Sequence, residues 1–471
     1  MKEGEFRDGG ERLLRFIASY LEDNEDLPVG ARTEPGRIAA ALPPAAPEHG
    51  EAMESILQDF ERILAPGLTH WNHPRFFAYF PANTSFASIL GEMLAAGLGV
   101  NSMLWETAPA ATELEDVVMR WMANLIDLPP GLTGMIQDSA SIATLCSLIC
   151  ARERATDFAS HEDGLTSIGR PLSVYGSDQT HSSVLKGAML AGYGRSAYRA
   201  LPSDDAYALR PDALARAIEE DVKRGVIPAM VCGTAGTTST TAIDPLRRIG
   251  EICKEYRVWF HVDAALAGTA AILPERRHVL DGVELCDSFT FNPSKWMLTN
   301  LPCTAHYVRD VAEWKRAFGV HPEYLETHRR TGRRNSYEWG LRLGRGFPAL
   351  KLWFVLRSFG AEGLRAMVRT HIELAQELAG WVRGDPRFEL MAPVPLNMVC
   401  FRVRGPGDEA ANARTLALLH ALNEGGATFL SDTVLRGRRA IRFCIGQAST
   451  TRAHVERAWE EVVATTDRLL R

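Results

Sequence analysis

The lysine of DSFTFNPSKWMLTN, residues 287–300, stands where a strand reading Ser288 to Phe291 stops at Asn292-Pro293 and a tryptophan follows. Apolar surroundings of that kind lower an amine's pKa and free Lys295 as a nucleophile toward an aldehyde. Asp263, in VWFHVDAALAG, ends another apolar strand. Its carboxylate needs a cationic partner, either a buried salt bridge or a protonated ring nitrogen. In TGMIQDSASIATL, Ser139, Ala140 and Ser141 open an apolar helix, where N–H groups and hydroxyls make an anion site or an ordinary cap. His181, in YGSDQTHSS, follows a strand and suits either a flat cover for a ring or a satisfied core position. Gly233, Gly236, Thr237 and Thr238, in CGTAGTTSTTAID, fit a loop that approaches a ligand closely, or a plain turn. A phosphate cradle, a buried acid for a ring nitrogen, a flat side chain and a lysine for an aldehyde are together what pyridoxal phosphate (PLP) requires.

These residues need a scaffold that brings strand ends together. From about residue 110 the pattern alternates helix and short apolar strand. A helix over 111–126 is expected to bury Leu114, Val117, Val118, Trp121 and Leu125. Strands are expected at Leu172–Tyr175, Ala229–Cys232, Val258–Val262, Ser288–Phe291 and Ala305–Val308. Strands separated by helices imply a mainly parallel, helix-covered α/β sheet, which gathers ligands beyond its carboxyl ends. Ahead of it, Leu13, Phe16, Ile17, Tyr20 and Leu21 mark an amphipathic helix that needs a partner surface, and a Pro-, Gly- and Ala-rich stretch reads as an extended arm or a linker. After a long helical stretch around 349–382, strands at Met398–Val403 and Arg439–Cys444 flank a helix near 411–423, and a last helix carries Val455, Trp459, Val462 and Val463. The expected division is an N-terminal helical arm and dimerisation segment over 1–85, a large PLP-binding α/β domain over 86–352 and a small α+β domain over 353–471.

Composition narrows the classes. With 46% hydrophobic and 23% charged residues and a net charge of −6, the 471-residue chain is an ordinary globular one without the basic surplus that nucleic acid demands. No run reaches membrane-span length, and the charged N-terminus lacks a signal peptide's apolar core. The eight scattered cysteines read as reduced thiols in a cytoplasmic protein. Cys146 and Cys150, one helical turn apart, lack a histidine to complete a metal set, so no metal is expected.

The stretches LTHWNHPRFFAYFPANTS, APAATELEDVVM, IQDSASIATL, SDQTHSSV, FHVDAALAG and FNPSKWMLTN carry a resemblance that spans essentially the whole chain. It resembles the group II pyridoxal-phosphate-dependent amino acid decarboxylases, most of all the aromatic-L-amino-acid decarboxylases. The resemblance implies an aspartate-aminotransferase-like fold and a homodimer with sites at the subunit interface. It implies that Lys295 forms the Schiff base with the cofactor, Asp263 pairs with the ring nitrogen and His181 stacks on the ring. Ala140, Ser141 and Asn292 match phosphate-binding positions, and Thr238 and Ala265 match further cofactor contacts. Tyr324, in GVHPEYLETHRRTGRRNS, matches the loop tyrosine that assists protonation at the substrate's α-carbon. Trp71, Tyr79, Phe80, Pro81, Ala82, Asn101, Met103 and Gly344 match substrate-pocket positions. The implied reaction is decarboxylation of an aromatic L-amino acid (DOPA, tryptophan, tyrosine or phenylalanine). Histidine decarboxylation, aromatic aldehyde synthesis and a non-catalytic PLP-binding role are the alternatives. Retention of Tyr324 and His181 favours simple decarboxylation over aldehyde synthesis, whereas Ser294 before the lysine reads as in animal histidine decarboxylases. Gly344 leaves room for a bulky ring. Leu266, Ala82, Asn101 and Met103 depart from the usual residues, so the pocket is not a copy of the animal enzyme's.

Overall fold

Seven strands build the sheet that carries the candidate residues: β1 (Thr133–Gln137), β2 (Leu172–Ser177), β3 (Tyr198–Leu201), β4 (Ile227–Thr234), β5 (Trp259–Asp263), β6 (Ser288–Phe291) and β7 (Thr304–Val308). The computed structural model describes residues 1–320, 323 and 333–471. The strand order is β1-β7-β6-β5-β4-β2-β3. β3, β2, β4, β5 and β6 pair in parallel, and β7 runs against both β6 and β1. Every strand except β7 therefore points the same way, and the carboxyl ends of β1, β2, β4, β5 and β6 lie along one edge. β2, β5 and β6 are buried at every residue, so Ser173, His261 and Thr290 lie inside along with their apolar neighbours.

All five expected strands of this sheet are present, Ser288–Phe291 with the expected bounds and the others with ends shifted by no more than two residues. β1 and β3 add to them, and both are edge strands. The helix expected over 111–126 forms as Pro109–Leu125, but with a different buried face. It buries Ala111, Glu115, Val118, Met119 and Met122, and leaves Trp121 43% exposed. The rotation comes from Glu115, a charge that faces inward because Arg345 and Arg334 meet it there. The long helix Pro348–Gly384 is interrupted at Gly360, whose φ of 62° and ψ of 173° are not helical.

The chain divides into two compact units, one of Met1–Pro81, Glu377–Met391 and Cys400–Arg471 and the other of Ala82–Gln376 and Ala392–Val399. The second contains the seven-stranded sheet. The smaller sheet has the order β10-β11-β9-β8, from β8 (Phe388–Leu390), β9 (Met398–Val403), β10 (Ser431–Leu435) and β11 (Arg438–Cys444). Trp459 of the last helix packs its ring 5.0 Å from Phe388 and 5.8 Å from Phe401. The first helix, Glu3–Asp23, buries none of its residues.

Candidate active site

Asp263 is the last residue of β5, in register with Thr234 of β4 and Thr290 of β6. It is 5% exposed, and its Oδ1 accepts the Ala265 N–H at 3.0 Å. The Ala265 carbonyl in turn accepts the Asn292 N–H at 3.0 Å, so the turn after β5 is tied to the turn after β6. Lys295 follows Asn292 within the short helix Pro293–Trp296 and is half-buried between the buried Ser294 and Trp296.

His181 caps the helix Ser182–Leu190 after β2. Its Nδ1 accepts the Ser183 N–H at 3.2 Å and lies 2.7 Å from the Ser183 hydroxyl. An Nδ1 that accepts a backbone N–H carries no proton, which puts the ring proton on Nε2. Burial lowers the His181 pKa; the nearby Asp263 carboxylate raises it and Lys295 lowers it. The imidazole is thus neutral at physiological pH, and it lies within electrostatic reach of both the acid and the lysine. Asp263 also acts on His261, whose pKa burial drives down to about 4 against the pull of the carboxylate. Ser183 was not singled out from sequence, although its place two residues after the histidine is the signal for a hydroxyl that fixes the ring.

After β1, Ser139 caps the helix Ala140–Ala155 by accepting the Ile142 N–H at 3.2 Å. The cap reading of this stretch is thus observed, and the N–H groups of Ala140 and Ser141 open the first turn, where a helix has no acceptors of its own. After β4, Thr238 lies half-buried in a loop whose Gly236 has φ 85° and whose added Cβ would meet the Ala267 Cβ at 3.0 Å. Asp244 closes that loop, with one carboxylate oxygen on the Leu209 N–H at 2.7 Å and the other on the Thr234 N–H at 2.8 Å. Burial pushes the Asp244 carboxyl up to about 7.

The residues fit pyridoxal phosphate. The amide oxygen of Asn292 is buried without a hydrogen-bond partner among the described residues, beside a lysine and a buried acid that has a second oxygen to offer. These groups stand at the sheet edge where the first turn of Ala140–Ala155 supplies unpartnered N–H groups. That donor set matches a phosphorylated, protonated aromatic aldehyde.

The other expected positions are placed as follows. Trp71, Tyr79, Phe80 and Pro81 belong to the first compact unit, where the Trp71 and Tyr79 rings stack at 5.6 Å and are 39% and 52% exposed. Tyr79 has φ 56° and donates its N–H to the Ser431 hydroxyl. Ala82 is half-buried in the second unit. Asn101 is exposed and its Oδ1 accepts the Arg345 N–H at 3.0 Å, while Met103 packs against Leu104 and Tyr337. Gly344 is exposed, with open space where a side chain would stand. Tyr324 lies outside the described residues. Ser294 is buried, with its hydroxyl donating to the Cys303 carbonyl at 2.9 Å. No group of three or more candidate metal ligands occurs among the described residues, and Cys146 and Cys150 are buried free thiols whose pKa values burial raises.

A sequence profile described as the pyridoxal-dependent decarboxylase conserved domain matches residues 35–404. The chain belongs to the pyridoxal-dependent decarboxylase family. Within this decarboxylase family it is 42% identical to a phenylacetaldehyde synthase of Arabidopsis thaliana, over 98% of this chain and 95% of that one. It is 41% identical to an aromatic-L-amino-acid decarboxylase of Bos taurus, over 98% and 96%. The fold matches a crystal structure of Oryza sativa TDC with PLP and tryptamine at a TM-score of 0.96, with 34% identity and coverage of 100% and 99%. The aspartate-aminotransferase-like decarboxylase fold and the PLP cofactor expected from sequence are therefore those of this protein.

Proposed function

We propose that the protein decarboxylates an aromatic L-amino acid (DOPA, tryptophan, tyrosine or phenylalanine), releasing the amine and CO2. The observation that carries this reading is the meeting of Lys295, Asp263 and His181 at one edge of a parallel sheet in a pyridoxal-dependent decarboxylase. Bound PLP supplies an electron sink for the pair left on the α-carbon when CO2 departs. Lys295 would hold the cofactor through its aldehyde. Asp263, kept from water, holds the proton at the ring nitrogen. His181, neutral and fixed by Ser183, covers the ring face without adding a charge that would compete with Asp263. The N–H groups of Ala140 and Ser141, with the Asn292 amide, take the phosphate. Thr238 and Ala265 flank the ring. Trp71, Tyr79, Phe80, Pro81, Ala82, Asn101, Met103 and Gly344 match the substrate-pocket positions of the resemblance, and Tyr324 matches the loop tyrosine that would assist delivery of a proton to the α-carbon.

The tryptamine bound to the rice protein is an aromatic amine, in keeping with this product class. Aldehyde release is the second reading, because the chain is 42% identical to a phenylacetaldehyde synthase. The protein acts as a cytoplasmic homodimer in our reading. Its eight cysteines are buried free thiols, no helix among the described residues is long and apolar enough to cross a membrane, and an apolar helix face stands uncovered at Phe86–Leu98.

The test is incubation of the PLP-loaded protein with DOPA, tyrosine, tryptophan, phenylalanine and histidine together, with products identified by mass. Aromatic amines are expected. Aldehydes with oxygen consumption would replace the reaction, histamine alone would replace the substrate, and no product would favour a binding role. In parallel, Lys295→Ala is expected to lose the visible absorbance of the lysine-bound cofactor, and retention of that band would remove Lys295 from its role.

A further inference from the structure

Lys295 sits on a turn that is gripped from outside. Within the turn, the Lys295 N–H donates to the Asn292 carbonyl at 3.0 Å and the Met297 N–H to the Pro293 carbonyl at 2.9 Å. The turn then leaves through Leu298, whose φ of 53° is one that a leucine rarely adopts. Something must hold it there.

Asn83 does so from both ends. Its backbone N–H donates to the carbonyl of Ser294, the residue before the lysine, at 2.9 Å. Its side-chain Oδ1 accepts the N–H of Leu298, three residues after the lysine, at 3.3 Å. Asn83 is 2% exposed and Leu298 5%, so water does not replace either contact. Next to it, the Ser85 hydroxyl donates to the Leu298 carbonyl at 2.7 Å, fixing the far side of the same residue. The Cys303 carbonyl, which accepts the Ser294 hydroxyl, secures the near side.

We propose that Asn83 is a positioning residue for the Lys295 amine, acting through the Leu298 amide. This rests on the reading of Lys295 as the cofactor's lysine. Loss of Oδ1 leaves a buried N–H without its acceptor, and the cheapest relief is for Leu298 to abandon its left-handed conformation. The turn then slackens on one side only, since the backbone bond to Ser294 does not depend on the side chain. An amine displaced by a fraction of an ångström is costly for a step that needs aligned reacting atoms.

The test compares PLP-loaded wild type, Asn83→Ala, Asn83→Asp and Ser88→Ala. Ser88 belongs to the capping box of the helix Phe86–Leu98, bonding Ser85 N and O, and makes no hydrogen bond to the lysine turn itself, so its loss reports loosening of the helix start. Asn83→Ala is expected to lower kcat about tenfold with KM changed less than twofold, and to move the pH midpoint of the visible band. Asn83→Asp keeps an oxygen for the Leu298 N–H and is expected to recover most of kcat. Ser88→Ala is expected to lower the melting temperature with kcat and the band unchanged. Should the alanine variant not fold, Asn83→Ser, whose shorter side chain stops short of Leu298, gives the same comparison. If Asn83→Ala or Asn83→Ser matches Ser88→Ala, with only the melting temperature changed, the positioning role is overturned. Persistence of the visible band in Lys295→Ala would instead overturn the reading beneath it.

Discussion

Glu115 is 1% exposed yet ionised, and its surroundings explain both. Burial by itself raises the carboxyl's pKa, but the charges and hydrogen bonds of Arg345 and Arg334 outweigh it and the net shift is downward. Arg345 donates to both carboxylate oxygens, at 2.5 and 2.9 Å, and Ile136 N–H adds a bond at 2.9 Å. Ile136 belongs to β1, just ahead of the Ala140–Ala155 helix, so the ion pair fixes the strand that leads into that helix. Glu115→Gln keeps an oxygen for Ile136 but leaves the half-buried Arg345 guanidinium without its carboxylate, while Arg334 retains Asp116, and is expected to cost about 3 kcal/mol in urea unfolding. A depressed carboxyl contributes stability above its ordinary pKa of 4.5, and that contribution is lost as pH falls toward the lowered value. His261 and His73 act earlier, because burial drives each from 6.5 to about 4. Between those values the unfolded chain takes up protons that the folded one refuses, so stability falls as pH falls, by up to about 1.4 kcal/mol per pH unit for each histidine. Urea midpoints are expected to decline from pH 7 to pH 5 in wild type and Glu115→Gln alike. Below 4.5 the variant's curve should flatten relative to wild type, and parallel curves there would show that Glu115 is not the group that titrates.

At the level of elements, what the sequence could express was burial of side chains along a strand or helix. β2, β4, β5 and β6 were legible because they are buried over most of their length and carry β-branched or aromatic residues between helical stretches. β1 and β3 were not, since they lie at the sheet edges and are partly polar; Arg199 of β3 is spent on Asp221 rather than on packing. The helix Pro109–Leu125 was placed correctly but turned to the wrong face, because a buried Glu115 is intelligible only once its distant arginines are known. Lys295, Asp263 and His181 were legible from residue type and position at strand ends. Asn83 was not, as its partners lie more than 200 residues away and nothing local marks it. The helix Phe86–Leu98 shows the same limit in its contacts: it turns Ser88 and Gly91 inward, and Gly91 lies against the backbone of Lys351. A Cβ there would stand 2.6 Å from Lys351 Cα, an atom that cannot swing aside. Gly91→Ala is therefore expected to cost about 1–3 kcal/mol by overpacking, read as a lowered melting temperature. An unchanged melting temperature would mean that the two helices part without penalty.

For the whole molecule, the inverted polarity of that helix is the decisive feature. Phe86, Leu90, Met93, Leu94 and Leu98 are 43–55% exposed, while the helix hides small or hydroxylated residues. An apolar stripe of this kind in one chain costs solubility unless another surface covers it, and large uncovered patches mark interfaces. The first helix, with no buried residue, and the exposed stacked pair Trp71 and Tyr79 extend the same demand to the other compact unit. A second copy of the chain meets it most economically, because a two-fold contact lets one stripe cover its own equivalent. In the proposed dimer the second copy would also cover the exposed Trp71 and Tyr79. Leu90→Glu with Leu94→Glu places two charges at the centre of the stripe without touching Ser88, Gly91 or the lysine turn. The wild-type protein is expected to sediment at twice its chain mass of 52.0 kDa, and the double variant at that of a single chain, with decarboxylase activity lost alongside. Wild type sedimenting as one chain at assay concentration would remove the dimer. A variant that separates yet keeps full activity would keep the dimer but place every residue needed for catalysis within one chain.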